Sequence, residues 1–304
     1  MSNQVLITGG SGLIGRCLSA MLISKGYTVA WLSRNAIGQK LPNQVKLYQW
    51  HVDKGFLDDD AIIQSDYIIH LAGAGLADKR LTPNRKKVII DSRVKSTELI
   101  INKLKGLHHQ VKAFISSSAI GYYPSSSELW FEEDGQAGNT FLSEVCLAWE
   151  NAVKPIGDLG IRTVINRIGI VLGKHGGALK ETERPLLFGV AAVLGNGSQY
   201  NSWIHINDLC RMIIHEMENE SINGVYNAVS PVPITNKAFT MAIAKAKGKF
   251  ALPLPTPKFI LQIMLGELAD VVLESHKISP KKIKDTGFSF NYPKLEDALG
   301  EIYG

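Results

Sequence analysis

Cysteine is scarce in this sequence, and the few residues present are far apart. The 304 residues include only Cys17, Cys146 and Cys210. An odd count without paired spacing argues against a disulfide framework and favours a reducing compartment. The first residues already have the pattern of a strand, so we expect no secretory signal peptide. These features predict a cytoplasmic protein.

Other absences exclude further classes of protein. No uncharged apolar run reaches the roughly 18 residues of a membrane helix, so we expect no membrane partner. The eight histidines form no cluster with carboxylates or thiols, so the sequence predicts no metal site. The net charge is only +5, and basic residues cluster only at 79–80 and 85–87, which argues against a nucleic-acid partner. No serine–histidine–acid arrangement supports a hydrolase.

Apolar residues, in contrast, are plentiful and regularly spaced. The chain is 45% hydrophobic and 20% charged, which suits one large α/β domain or two lobes. Runs rich in β-branched and aromatic residues alternate with helical patterns, which predicts a parallel sheet with helices on both faces. After a first strand that ends at Thr8, the predicted strands are 28–32, 45–50, 67–71, 111–115, 163–167 and 224–229.

Two long helices are predicted between these strands. Thr82 can cap the first helix and Pro83 suits its first position, and the second runs from about 141 to 156. The expected fold class is α/β, a Rossmann-type doubly wound parallel sheet with a smaller C-terminal substrate lobe. We expect the sheet domain at 1–171 and 206–228, and the lobe at 172–205 and 229–304.

A glycine cluster directly follows the first apolar run and precedes a helical pattern. Gly9 lets the chain turn sharply, Gly12 removes a side chain where a pyrophosphate approaches, and Gly15 lets the helix pack closely on the sheet. The free amides of the helix N-terminus then face the phosphates. A plain glycine-rich turn is the alternative, but the strand–turn–helix context favours dinucleotide binding. The further contacts expected at this turn are Leu13, Ile14 and Arg16.

The end of the second strand distinguishes NADP from NAD. An NAD-specific site usually has an acidic residue about 20 positions after the glycines, on the ribose 2′-hydroxyl. This sequence has Ser33 and Arg34 there instead. A guanidinium can clamp a 2′-phosphate, and Arg16 could reach the same group. We therefore predict NADP (NADPH) as the cofactor.

Two other strand ends complete the predicted cofactor site. Asp53 follows the third strand, where its side chain could hold the adenine or could simply be a turn residue. The fourth strand ends in Leu71, Ala72 and Gly73, whose small side chains let a cofactor pass.

These motifs resemble those of the extended short-chain dehydrogenase/reductase superfamily, also called the NAD-dependent epimerase/dehydratase family. Residues 8–15, 71–73 and 116–122 carry the likeness. A closer likeness to a subgroup labelled nucleoside-diphosphate-sugar epimerase, with a family-specific C-terminal region, is carried by 146–150, 167–173, 176–179, 202–208, 265–269 and 287–293. The resemblance therefore spans the chain, and it adds Ser116, Cys146 and Arg167 to the expected cofactor contacts.

The family's catalysis normally uses a serine or threonine, a tyrosine and a lysine. The resemblance places Ser118 where the serine orients the substrate oxygen. If Glu150 is the glutamate that follows the pair, the tyrosine and lysine positions hold Leu142 and Cys146, which is a departure from the pattern. A buried cysteine is more often packing than a ribose contact. Tyr122 is then the first proton-transfer candidate, ahead of Tyr123, Glu144 and Glu150.

The resemblance implies an NADP-dependent oxidoreductase or epimerase-like enzyme with an unknown small-molecule substrate. The alternative is an NADP-binding sensor or scaffold that has lost hydride chemistry. A mixture of polar residues could grip a sugar-like or anionic ligand: Lys174, His175, Arg184, Gln199, Trp203 and His205. Trp203 and His205 could instead buttress the lobe junction, and Asp208 reads as a helix N-cap or an interdomain support. A homodimer could form through 82–104 and 141–156.

Overall fold

The computed structural model describes residues 3–34, 44–174 and 176–304, in which strands and helices alternate. The strands are Gln4–Thr8 (β1), Thr28–Ser33 (β2), Val45–His51 (β3), Phe56–Leu57 (β4), Tyr67–His70 (β5), Ala113–Ala119 (β6), Trp130–Phe131 (β7), Arg162–Ile168 (β8), Ile170–Leu172 (β9), Val190–Leu194 (β10), Tyr200–Asn201 (β11), Trp203–His205 (β12), Gly224–Ala228 (β13), Ile234–Thr235 (β14), Leu252–Thr256 (β15) and Lys277–Ile278 (β16). The α-helices are Leu13–Ser24 (α1), Asp59–Ile63 (α2), Pro83–Gly106 (α3), Phe141–Val153 (α4), Ala178–Leu186 (α5), Ile206–Glu218 (α6), Asn236–Ala246 (α7), Lys258–Leu265 (α8), Leu268–Val272 (α9), Lys281–Asp285 (α10) and Leu295–Tyr303 (α11).

One eight-stranded sheet organises the molecule, in the order β13-β8-β6-β5-β1-β2-β3-β4. Every neighbouring pair is parallel except β3 with β4, which is antiparallel. The chain winds outward in both directions from β1, so the order reverses between β1 and β5. In such sheets ligands bind at the carboxyl ends of the strands beside this reversal. The predicted α/β, Rossmann-type sheet is confirmed.

Helices cover both faces of the sheet with apolar side chains. On one face, Leu18 and Leu22 of α1 pack with Ile213 of α6 against β1 and β2. On the other face, Ile100 of α3 and Trp149 of α4 pack on β5 and β6. The central strands are thus buried on both sides, which explains their near-continuous apolar runs.

A separate apolar cluster forms where the C-terminal part of the chain packs together. It joins α5, β10, α7 and α11 through Leu186, Phe239, Ile243 and Leu299. Asp208 of α6 accepts hydrogen bonds from the backbone N–H groups of Asn291 and Tyr292, at 2.9 and 2.8 Å, and so ties this part to the sheet. The division into two lobes at 171–172, 205–206 and 228–229 stays a prediction.

Several element bounds differ from those predicted. The strand expected at 111–115 is present, but its bounds are wrong: β6 runs from Ala113 to Ala119. The helix expected to reach 156 ends at Val153 and continues as a 3₁₀ turn, because Pro155 lacks an N–H for the α-helical ladder. The start of α3 is confirmed: the Thr82 side chain accepts from the N–H of Arg85.

The predicted N-cap role of Asp208 is wrong. Helix α6 begins at Ile206, and its N-cap is His205, whose side chain accepts from the N–H of Asn207. Asp208 lies in the first turn, where its carboxylate is fully buried and also receives Arg211 Nη1 at 2.8 Å. Its position near the helix N-terminus still favours a negative charge.

No helix in the described part of the chain is both long and apolar enough to cross a membrane.

Candidate functional site

The glycine turn between β1 and α1 lies at the carboxyl end of the central strand. Gly9 has φ +70°, a conformation that favours glycine, and the Gly12 N–H donates to the Gly9 carbonyl at 3.0 Å. A Cβ on Gly15 would lie 2.5 Å from the Gly9 carbonyl oxygen, so α1 packs directly on the turn. No side chain caps the helix at Gly12. The first amides of α1 are therefore open to an anionic ligand.

Gly10 is a further glycine that the turn requires, and sequence reasoning missed it. A Cβ there would lie 2.4 Å from the indole ring of Trp31 on β2. The Trp31 Nε1–H in turn donates to Ser19 Oγ of α1 at 2.8 Å. The ring thus fixes the turn, α1 and β2 relative to one another. The adjacent glycine pair in the sequence was the available signal.

A second missed feature joins the ends of β1 and β5. The Thr8 hydroxyl contacts His70 Nδ1 at 2.8 Å and accepts from the N–H groups of Leu71 and Ala72, both at 3.0 Å. Burial and the nearby Arg93 charge lower the pKa of His70 to about 3, so the ring is neutral. These bonds hold the Leu71–Gly73 segment beside Gly9. A Cβ on Gly9 would meet the Leu71 carbonyl at 3.1 Å.

The residues predicted to contact the adenosine half lie on α1 and just after the carboxyl ends of β2 and β3. Ser33 ends β2, and Arg34 follows it with an exposed side chain. Arg16 is exposed on α1, its Nε donates to the Ser11 carbonyl at 2.8 Å, and its Cζ lies 6.0 Å from the Trp31 ring. Asp53 is exposed in the 3₁₀ turn Val52–Lys54 after β3. Their contacts with a cofactor stay predictions.

Ser118 lies at the end of β6, where its hydroxyl is held by a carboxylate. It donates to Glu150 Oε1 of α4 at 2.7 Å. Arg167 of β8 clamps the same carboxylate, with Nε to Oε1 and Nη2 to Oε2 both at 3.0 Å. The Glu150 and Arg167 side chains are only 8% and 4% exposed. The hydroxyl of Ser118 is thus oriented by a buried ion pair.

Arg167 also organises the two tyrosines after β6. Its Nη1 donates to the Tyr123 hydroxyl at 2.9 Å and to the Glu133 carbonyl at 3.0 Å. The Tyr122 ring stacks on the guanidinium, with Cζ 3.4 Å from the ring centroid. Whereas the Tyr123 hydroxyl also donates to Asn227, that of Tyr122 has no hydrogen-bond partner among the described residues. Of the two tyrosines, Tyr122 is therefore the one whose hydroxyl is left without a hydrogen bond within the described ranges.

The positions matched to the family's tyrosine and lysine lie on the first two turns of α4. Leu142 packs against the turn at Gly121: a Cβ added to Gly121 would lie 2.9 Å from the Cβ of Leu142. Cys146 is buried, and its thiol donates a hydrogen bond to the Ala119 carbonyl oxygen at 3.5 Å. Burial and the Glu150 carboxylate raise the pKa of Cys146 to about 11. Neither side chain carries a charge at neutral pH.

The remaining predicted residues are spread over several places. Ser116 is buried in β6 and donates to the Ser117 carbonyl. On the substrate side, Lys174 and Arg184 are exposed, whereas Gln199 is buried and donates to the Leu194 carbonyl. His175 lies outside the described residues.

Trp203 and His205 are packed into the structure. The Trp203 Nε1–H donates to the Val232 carbonyl at 2.9 Å, and the His205 Nε2 contacts Glu301 Oε2 at 2.9 Å. Both side chains are fully buried. These contacts join β12 to the C-terminal part of the chain, which is the supporting role given above as the alternative to ligand binding.

The glycine turn fits the phosphates of a dinucleotide. The cradle at Gly9–Gly15 is one that a Cβ would fill, and it ends in free helix amides. In the ranges that the structure describes, no three His, Cys, Asp or Glu side chains come together where they could hold a metal ion.

Comparison with known proteins agrees with this geometry. Residues 5–228 match the NAD dependent epimerase/dehydratase family, and residues 256–302 match a domain of unknown function, DUF1731. An epimerase family protein of Staphylococcus haemolyticus is 33% identical over 98% of both chains, and one of Mycobacterium leprae is 32% identical over 97% of this chain and 94% of its own. The structure of the human epimerase family protein SDR39U1 with NADPH superposes with a TM-score of 0.87 and 30% identity, over 99% of both chains. The chain therefore belongs to the NAD-dependent epimerase/dehydratase family.

Proposed function

We propose that this protein binds NADP(H) at the glycine turn and is an oxidoreductase or epimerase-like enzyme of its family. The observation that carries the proposal is the glycine cradle at Gly9–Gly15, which opens onto the uncapped N-terminus of α1. Backbone amides at a helix N-terminus are a general binding site for phosphate. When bound, the nicotinamide supplies or accepts a hydride. The human relative, whose structure holds NADPH, supports the choice of cofactor.

The preference for NADP over NAD rests on the charge after β2. No carboxylate follows Ser33 directly, and Arg34 offers an exposed guanidinium where the ribose 2′-substituent is expected. Arg16 lies on the neighbouring helix and adds a second positive charge. Two guanidiniums favour a phosphate over a hydroxyl by direct pairing. Asp53 and the Leu71–Gly73 segment would complete the adenosine and pyrophosphate contacts.

For the reaction we assign Ser118 and Tyr122. Because the Ser118 hydrogen is given to Glu150, its oxygen lone pairs remain to accept a hydrogen bond from a substrate hydroxyl. Tyr122 has the free hydroxyl, and it would give a proton to a substrate oxygen during reduction. Arg167 positions both through Glu150 and through the Tyr122 ring. The substrate is a small molecule, sugar-like or anionic, between the sheet and the segments at 172–205 and 229–304.

The second candidate function is an NADP(H)-binding sensor or scaffold. Leu142 and Cys146 favour it, since neither can supply the proton or the positive charge that the family normally places there. Cys146 is also buried and neutral, because its pKa is raised. An enzyme without that pair would turn over slowly, since a positioned acid or base contributes about 10²–10⁴ in rate.

A hydride-transfer screen separates the two functions. The protein is loaded with NADPH deuterated at the transferable position and offered carbonyl compounds and nucleotide sugars. Mass spectrometry then detects deuterium in the product. For a substrate that reacts, we expect Ser118→Ala and Tyr122→Phe each to slow transfer by about 10²-fold or more. Tyr27→Phe is the matched control, because its hydroxyl donates to Glu218 on the surface of the protein.

Full transfer in both variants would remove the assigned roles. If no compound in the screen takes deuterium while NADPH remains tightly bound, the sensor is the correct function.

A dimer is proposed through the outer faces of α3 and α4. Val88 and Leu147 expose apolar side chains on these helices. Burying them against a second copy is favourable in proportion to the apolar area removed from water.

A further inference from the structure

Arg93, in the middle of α3, extends its guanidinium to the loop that follows β5. Its Nη1 donates to the carbonyls of Ala74 at 3.1 Å and Ile89 at 2.9 Å. A Cβ on Gly73 would lie 3.0 Å from Arg93 Cζ. The guanidinium therefore occupies the space that a side chain at position 73 would fill, at the strand end assigned to the cofactor.

The same guanidinium lies beside the place of the missing lysine. Its Cζ is 4.9 Å from the ring centroid of Trp149 on α4. Cys146 is close enough for its thiol and the guanidinium to influence each other's protonation. His70, at the end of β5, feels the charge as well. Arg93 thus brings a cation from α3 to the region where the family's lysine would extend from α4.

This cation has no counter-charge within the described part of the chain. Arg93 forms no ion pair there, and its Nε is buried without a hydrogen-bond partner. The other guanidinium nearby is Arg85, whose Nε is also buried and unpartnered. Arg85 donates to the Gly75 carbonyl and lies 3.4 Å from Asp78, whose side chain is largely exposed. Burial lowers the pKa of Arg93, and the Arg85 charge lowers it further.

Such an arrangement is costly unless something else compensates it. A largely buried guanidinium without an opposite charge beside it is unfavourable even when carbonyl groups accept some of its hydrogen bonds, and a like charge nearby adds to the cost. An anion bound at the Gly73 loop would pair with Arg93 and remove this penalty. Arginine is also the side chain best suited to carboxylate and phosphate groups.

We infer that Arg93 is a further anion-binding residue of the site, separate from Arg34 and the α1 amides, and receives a phosphate or carboxylate group of the ligand bound beside Gly73. It supplies the positive charge that Cys146 cannot. The inference rests on the proposed function, because it places the ligand at the same strand ends. The anion has two sources, the cofactor's own phosphate or an acidic group of the substrate.

The first test needs no cofactor. Inorganic phosphate is titrated at constant ionic strength, and the unfolding temperature is measured for the native protein, Arg93→Met, Arg93→Lys and Lys95→Met. Lys95 is the matched control, since it is an exposed cation on the same helix, paired with Asp91. We expect phosphate to stabilise the native protein and the control most, Arg93→Lys less, and Arg93→Met least, because the glycine turn can still bind phosphate when the Arg93 charge is removed. Equal stabilisation of all four proteins would overturn the inference.

The second test identifies the source of the anion. Reduced nicotinamide mononucleotide carries the nicotinamide half with one phosphate, and 2′,5′-ADP carries the adenine half. If the cofactor supplies the anion, Arg93→Met weakens NADPH and the mononucleotide by roughly tenfold to a hundredfold and leaves 2′,5′-ADP unchanged. If the substrate supplies it, the mononucleotide binds normally, and oxalate perturbs the fluorescence of bound NADPH in the native protein but not in Arg93→Met.

A purely structural role predicts a different result. Arg93→Met would then weaken the binding of all three nucleotides together and lower the unfolding temperature. Arg93→Lys would show the same two changes, and phosphate would raise its unfolding temperature no more than that of Arg93→Met. Failure of the native protein to bind NADPH would contradict the proposed function alone, because the phosphate titration tests anion binding by Arg93 without any cofactor.

Discussion

Glu150 and Arg167 form a buried ion pair directly beneath the candidate site. Arg167 donates four hydrogen bonds, two of them to the Glu150 carboxylate. A single charge left in this environment would be unpaired and largely removed from water. The pair therefore sets the geometry of Ser118 and Tyr122, and it does so only while both partners are present.

Replacing Arg167 with methionine should be strongly destabilising. The change leaves the Glu150 carboxylate buried and unpaired, so we expect a loss of about 3–5 kcal/mol in the free energy of unfolding. Denaturant unfolding measures it. Arg184→Met is the control, since its ion pair with Glu181 is exposed on both sides and should change stability by less than about 1 kcal/mol. Equal effects of the two substitutions would contradict the account.

A second buried carboxyl, Glu216 of α6, lies under β8. Its Oε2 accepts from Asn166 Nδ2 at 2.6 Å, while its Oε1 and the Asn166 Oδ1 are buried without partners. Burial raises the pKa of Glu216 to about 8. A proton on the Glu216 carboxyl supplies a hydrogen-bond donor next to two buried acceptor oxygens, Glu216 Oε1 and Asn166 Oδ1, that otherwise have no partner.

The stability of the protein should therefore fall as pH rises through this carboxyl's titration. The folded pKa is about 8 and the ordinary value is 4.5, so the folded state holds the extra proton between these limits. Its contribution is complete below pH 4.5 and is lost as pH rises through about 8, by roughly 1.4 kcal/mol per pH unit at most. Glu216→Gln, which carries a permanent N–H, should remove this dependence, whereas Glu220→Gln at the surface should keep it. Denaturant unfolding at several pH values distinguishes the two, and identical pH profiles would sink the idea.

Single residues differ in how well the sequence foretells them. Gly9, Gly12 and Gly15 are recognisable because a turn, an open amide and a close helix each demand glycine. The Ser118–Glu150–Arg167 bonds join residues 17 to 32 positions apart, and no local pattern encodes such a contact. The role of His70 is not predictable for the same reason, since Thr8 contacts it only in the folded sheet. For Gly10 the adjacent glycine pair is a local signal, but its contact with Trp31 also forms only in the folded sheet.

Among the secondary-structure elements, the turn from β1 into α1 is the most tightly constrained. Backbone meets backbone there, because Gly15 of the helix lies against Gly9 and Gly10. Backbone atoms cannot move aside as a flexible side chain can. The element therefore fixes both the first helix and the phosphate site in one piece.

Gly15→Ala should disturb both at once. Its Cβ would lie 2.5 Å from the Gly9 carbonyl oxygen, so the turn must shift. We expect a loss of roughly 1–3 kcal/mol in stability and NADPH binding reduced by at least about tenfold. Gly106→Ala is the control, because it ends α3 with open space around its Cα and should leave both properties unchanged. Unfolding and binding titrations measure the pair, and normal NADPH affinity in Gly15→Ala would contradict the assigned cradle.

The presence of a strand or helix is predictable where the spacing of apolar residues agrees with the residues that mark the ends of the element. The predicted strands and the start of α3 were found because β-branched runs and the Thr82–Pro83 pair act locally. Bounds failed where tertiary pairing decides them: β6 extends to Ala119 because it pairs with β8 as far as Ile168. The N-cap of α6 is not Asp208 for a similar reason. The Asp208 carboxylate instead accepts hydrogen bonds from the backbone N–H groups of Asn291 and Tyr292, which are distant in sequence.

At the scale of the whole molecule, one sheet and its strand order determine where a ligand can lie. The order reverses between β1 and β5, and the glycine turn, the Gly73 loop and Arg93 all meet beside that reversal. Alternation of strands and helices was enough to predict this layout. The identity of the substrate was not, because it depends on side chains from distant segments that no motif brings together.

The proposed dimer is a prediction at this same scale. We expect the native protein to behave as a dimer in light scattering, and Leu147→Glu to shift it toward the monomer by placing a charge on the outer face of α4. Phe250→Glu changes an apolar residue that is more exposed than Leu147 and lies outside α3 and α4, and it should leave the mass unchanged. A native monomer, or a dimer insensitive to Leu147→Glu, would exclude this interface.

The glycine turn and Arg34 together predict that the protein binds NADPH in preference to NADH. Isothermal titration of the native protein and of Arg34→Glu with NADPH and with NADH measures this preference. We predict that the native protein binds NADPH at least about tenfold more tightly than NADH, and that Arg34→Glu abolishes or reverses this preference while NADH affinity changes little. Equal affinity of the native protein for both cofactors, or an unchanged NADPH affinity in Arg34→Glu, would contradict it.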